Sequence, residues 1–137
     1  MHNNPIKSQL DEVIISLEQY LNRSLPVIKD LADRFYKSVD LQPWGELPQL
    51  TEAFLWIFQV FETLAQAGGS SYADWKNVEQ VMSEISRELQ ALNDAISDND
   101  PVAVGDIVNY EVLPKLEELH SVISAIIKHE VAQNEAY

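Results

Sequence analysis

A chain of 137 residues with 22 acidic and 9 basic side chains carries a formal charge of −13 and contains no cysteine. That balance, with no clustered Lys or Arg, argues against nucleic acid or anionic lipid as partners, since their phosphates would be repelled, and the missing thiols exclude disulfides, thiolate metal sites and cysteine nucleophiles. The length predicts one domain, and the lack of an 18-residue apolar run or a signal-like start predicts a cytoplasmic protein without a membrane span.

Asn4-Pro5 supplies a cap followed by proline in the first helical position. From there Ile6, Leu10, Val13, Ile14, Leu17, Leu21, Leu25, Ile28, Leu31, Phe35 and Val39 keep a helical period, which predicts a first helix over about 5–39. The period carries through Pro26. Proline lacks the N–H that would meet the carbonyl of Asn22, so a bend is expected there; the alternative is a fresh helix capped by Ser24. Residues 40–46 read as a turn punctuated by Pro43 and Gly45, with Trp44 folding back onto the end of the core.

The second helix is expected over 47–67. Leu47, Leu50, Phe54, Ile57, Phe61 and Leu64 step by three and four, and Trp56, Phe58, Val60 and Ala65 widen that seam to roughly 200°. A helix so apolar is expected to be the most buried, with the others packed around it. Gly68-Gly69 ends it.

Ser71 and Asp74, spaced as a capping box, restart a helix predicted over 72–97. Its seam of Trp75, Val78, Met82, Ile85, Leu89, Leu92 and Ile96 is narrow, as for a peripheral helix. A short connection leads to Asp100-Pro101, which opens a fourth helix over 101–130 with Val104, Ile107, Val108, Val112, Leu116, Leu119, Ile123 and Ile126 on one side. Pro114 interrupts it. Residues from about 132 are expected to fray. The fold class is therefore all-α, an antiparallel up-and-down four-helix bundle with the first and last helices kinked at Pro26 and Pro114.

Two places invite a functional reading. At about 30 residues each, the first and last helices outreach the second, so Ile6, Leu10, Ile126, Ile127 and Val131 are expected to form an under-covered apolar patch for a protein partner or a second copy. The alternative is that residues 68–74 fold over it. On the last helix Asp106, Tyr110 and Glu111 gather beside the carbonyl that Pro114 leaves without a donor, and Glu117-x-x-His120 has the spacing of half a di-iron site. No second such pair exists, so a solvent-edge Glu and His is the simpler reading. A small-ligand or metal-binding bundle built on these polar residues is the alternative function. Nucleophile elbows and phosphate loops are missing, and no catalytic residue, metal or cofactor is expected.

The segment Gly105-Asp106-Ile107-Val108-Asn109-Tyr110-Glu111-Val112-Leu113-Pro114-Lys115-Leu116-Glu117-Glu118, taken with the Leu47-Pro48-Gln49-Leu50 helix and its aromatic run, resembles a bacterial family of small helical domains without an assigned function. The resemblance implies a helical architecture and no catalytic residues. In shape alone an acidic bundle is also similar to bacterial export chaperones, which adds to the expectation of a protein-interaction module.

Overall fold

The computed structural model describes residues 5–37 and 42–131. Within them the protein is all-α, 91% helical, with four helices and no strand. Helix α1 (Pro5–Arg34), α2 (Gln42–Gln66) and α3 (Trp75–Ser97) are followed by a C-terminal helix over residues 101–131. The last contains two wider π turns, Val108–Val112 and Ile127–Val131, around α-helical Pro101–Ile107 and Leu113–Ile126.

Helix α1 runs unbroken through Pro26. Both Pro26 and Asn22 are exposed, so the carbonyl that loses its donor faces water. The helix ends at Arg34 and not at Val39, a residue outside those described. Three tight bonds close it: Phe35 N–H to Ala32, Tyr36 N–H to Asp33 and Lys37 N–H to Arg34, at 3.2, 3.2 and 3.1 Å.

Residues 42–46 are helix, not the expected turn. Pro43 sits in the first turn of α2, where the N–H it lacks has no helical partner, and Gly45 is an ordinary helical position. Tertiary contacts override the local turn signals. Trp44 meets Phe35 edge-on at 5.0 Å, and Glu46 is gripped by Arg34. Helix α3 likewise starts at Trp75, after a buried Tyr72, and its Asp74 cap makes no side-chain bond, so the Ser71–Asp74 capping box does not form.

The organising element also differs from the expected one. The C-terminal helix lies against both α1 and α3, and Val104, Val108, Val112, Leu113, Leu116, Leu119, Ile123 and Ile126 are all buried. Helix α2 lies mainly against α1 and buries only Leu47, Leu50, Phe54, Ile57 and Leu64 among its large aliphatic and aromatic side chains. Its apolar arc is wider than the surface its neighbours offer. Helix α3 buries Val81 beside its expected seam; it packs along the C-terminal helix and touches α2 through Trp75, which stacks on Phe61 at 5.3 Å.

The first π turn accommodates Pro114. Leu113 N–H reaches back five residues to the carbonyl of Val108, and the added residue lets neighbours Val112 and Leu113 both face the core. The second explains a stride of five: Ile126 and Val131 are both buried across it.

Candidate functional site

The expected apolar patch at the end of the molecule is covered. Leu10, Ile126 and Val131 are 6, 0 and 2% exposed and Ile127 is half-buried; the side chain of Ile6 lies outside those described. The connection after α2 folds over this end. Gly68, at φ 108°, turns the chain back, and Gly69 passes so close to the Leu64 carbonyl that a Cβ would stand 2.8 Å from it. Hydrogen bonds hold the cover in place. Tyr72 Oη donates to Asp11 at 2.6 Å, Ala73 N–H to the Glu130 carboxylate at 2.9 Å, and Lys7 Nζ to Asp11 and the Glu130 carbonyl at 2.9 and 3.3 Å. Burial and the Asp11 carboxylate push the Tyr72 hydroxyl well above the usual phenol range. This end is closed by its own chain.

The polar residues of the C-terminal helix do not converge on one site. Asp106 accepts a 2.7 Å bond from Tyr36 Oη, while Asn109 joins Tyr36, Asp33 and Lys29 in a network on the surface between α1 and the π turn. Gly105 makes this approach possible, since a Cβ there would lie 2.9 Å from the Tyr36 ring. Burial and Asp106 both raise the Tyr36 hydroxyl, although its Asn109 bond works the other way. Tyr110 is 70% exposed and Glu111 and Glu117 are also exposed. His120 pairs with Glu18 of α1 at 2.9 Å, not with Glu117. Asp106 and His120 are fourteen residue steps apart, about 21 Å along the helix, so they do not share one compact site. Among the described residues no group of three or more His, Asp or Glu is placed to hold a metal ion.

A third surface leaves two neighbouring large apolar side chains in the open. Leu55 and Trp56, in the middle of α2, are 56 and 36% exposed. They form a ridge between two troughs. One, of about 830 Å³, opens between α2 and α3 over Phe58, Phe61 and Met82; the other, of about 460 Å³, lies between α1 and α2 over Val13 and Val60. Tyr20 backs Trp56 at 4.4 Å between ring centres, which fixes the indole on the ridge. The charged residues lining the two troughs are Glu12, Glu62 and Glu79; no Lys, Arg or His lines either one.

Nothing in this arrangement activates a nucleophile or positions an acid and a base. What it offers is an apolar ridge and apolar trough floors, with walls that also carry Ser16, Gln59, Thr63, Gln66, Ser83 and Ser86 and the three carboxylates. Sequence reasoning counted Trp56 toward a buried seam and passed over Leu55. The available signal was the width of that seam: Phe54 and Ile57 are buried, and Leu55 and Trp56 lie 100° and 200° round from Phe54.

Residues 12–122 match a family described as a domain of unknown function (DUF8042). The match spans the α2 ridge, both troughs and the Gly105–Asp106 contact with Tyr36. No curated protein and no solved structure matches the chain.

Proposed function

Since the chain belongs to that family, whose description assigns no activity, we propose that it is a protein-interaction module that docks a partner helix on α2. The scaffold is an antiparallel up-and-down bundle. The short 98–100 connection and the packing of α3 against the C-terminal helix support that topology, and the prolines within the first and last helices, Pro26 and Pro114, support a bend in each.

The observation that carries this reading is the exposure of Leu55 and Trp56 between two troughs with apolar floors, while thirty other apolar side chains among the described residues are buried. Single exposed apolar residues are common on soluble proteins; a leucine and a tryptophan side by side, flanked on both sides by open grooves with apolar floors, make the kind of patch that partners cover. Tryptophan is also among the residues most enriched at the centres of interfaces. The mechanism is burial of an apolar helix face along α2, with the carboxylates at the edge disfavouring acidic partners.

Affinity capture from the native cell, with wild type, Leu55→Ser and Val27→Ser run side by side, tests the reading. Val27 is exposed on α1, lines neither trough, and serves as the control. A protein retained by wild type and Val27→Ser but lost from Leu55→Ser is the expected result. Identical captures from all three would refute the ridge as the docking face. Light scattering addresses self-association, which this reading does not require: the protein is expected to run as a monomer.

A further inference from the structure

We infer that the occupant of the α2 ridge is a basic amphipathic helix of about four turns, with apolar side chains seated in the two troughs and Lys or Arg at its edges. The inference rests on the interaction reading above and names the chemistry of the partner.

Charge makes the choice. Glu12, Glu62 and Glu79 stand at the troughs with no base among the lining residues, and α2 itself carries Glu46, Glu52 and Glu62 and no Lys or Arg from end to end. The two bases of α3, Lys76 and Arg87, line neither trough. A second copy of this chain would bring the same carboxylates and another −13 of net charge to the contact, so self-docking is disfavoured. A cationic edge would meet the carboxylates, and a Lys or Arg laid over the outward Trp56 indole would gain a cation–π contact. The length follows from α2: Glu52 to Gln66 is fourteen residue steps, about 21 Å, which a four-turn helix matches. Anchors at i, i+3, i+4 and i+7 of such a helix are the pattern that grooves beside a ridge accept.

The test uses two fluorescent peptides of about sixteen residues, a Leu/Lys amphipathic helix and its Leu/Glu counterpart, read by anisotropy against the full chain at physiological ionic strength. The Leu/Lys peptide is expected to bind wild type and Val27→Ser alike, to bind Leu55→Ser and Trp56→Ala at least about tenfold more weakly, and the Leu/Glu peptide not to bind. Circular dichroism confirms that each variant is folded. Equal Leu/Lys affinity for all variants would show adsorption by charge alone and overturn the inference. Ridge-dependent binding of the Leu/Glu peptide and not the Leu/Lys one would overturn the occupant while leaving α2 as a docking face. Binding of neither peptide would remove the inference, and the capture experiment would then decide whether the interaction reading falls with it.

Discussion

Arg34, the last residue of α1, donates two hydrogen bonds to the carboxylate of Glu46, at 2.6 and 2.8 Å, and so ties the end of one helix to the first turns of the next. The guanidinium holds the Glu46 carboxyl below its ordinary value of 4.5, and Glu46 in turn raises Arg34. A carboxyl depressed in the folded state contributes stability that is present above its unfolded value and lost as pH falls through the folded one. Glu46→Gln is therefore expected to lower the melting temperature at neutral pH and to shrink the further loss on going to about pH 3. Thermal melts of both proteins at the two pH values check this. An equal acid loss in wild type and variant would contradict it.

The start of α2 can be tested through glycine. Gly45 is helical and a Cβ there meets nothing within 4 Å, so Gly45→Ala is expected to stabilise by about 0.5–1 kcal/mol through reduced chain entropy. Gly69→Ala is expected to destabilise by about 1–3 kcal/mol, because the new methyl meets the Leu64 carbonyl and Trp75. Urea midpoints moving in opposite directions for the two variants are the expected outcome. Were residues 42–46 a turn that needs glycine, Gly45→Ala would destabilise as well.

The cover over the far end depends on Tyr72. Its side chain is 2% exposed and its hydroxyl donates to the Asp11 carboxylate, a charge-assisted bond, so Tyr72→Phe is expected to cost about 1.5–3 kcal/mol. The raised hydroxyl adds a signature at high pH. A phenol kept protonated in the fold contributes stability that is complete below its unfolded value near 10 and is lost as pH rises beyond it. Equilibrium unfolding above about pH 10 should therefore lower the stability of wild type more than that of the variant.

The C-terminal helix, not α2, is expected to carry the core. Ile123→Ala should cost about 2–5 kcal/mol, since Ile123 is fully buried, whereas Leu55→Ser should stay within about 0.5 kcal/mol of wild type. Denaturant titrations measure both. A large loss for Leu55→Ser would place it in the core.

The sequence made the helical class legible because apolar residues recur at three and four throughout, from Leu10 in α1 to Ile126 in the C-terminal helix. It misjudged the hierarchy among helices for a physical reason. Hydrophobicity measures what a helix has available to bury, and α2 has more than its neighbours can cover, whereas the C-terminal helix has less but is met on two sides. Local signals failed at Pro43 and Gly45, where the Arg34–Glu46 and Phe35–Trp44 contacts outweigh turn propensity. Of the two outcomes open for the apolar end, cover by residues 68–74 is the one the fold takes, through the bonds of Tyr72 and Ala73 to Asp11 and Glu130, and the polar residues are dispersed because their partners, Tyr36 just beyond α1 and Glu18 on α1, lie far away in sequence. The absence of any base in α2 is legible directly, whereas the π turn at Ile127–Val131 is not, since Ile127 gives an ordinary four-residue step to Val131.

The most direct test of the docking face is a nitrogen–proton correlation spectrum of the labelled protein titrated with the Leu/Lys peptide. The protein's three tryptophans supply internal reporters, since Trp75 is 3% exposed and stacked on Phe61, Trp44 is packed on Phe35, and Trp56 stands on the ridge. Shifts concentrated on the Trp56 indole and on the backbone amides of Leu55, Gln59 and Ser83, with the Trp44 indole and the Tyr72 amide unmoved, are the predicted result. Shifts centred instead on residues 68–74 or on Asp106 and Asn109 would contradict it.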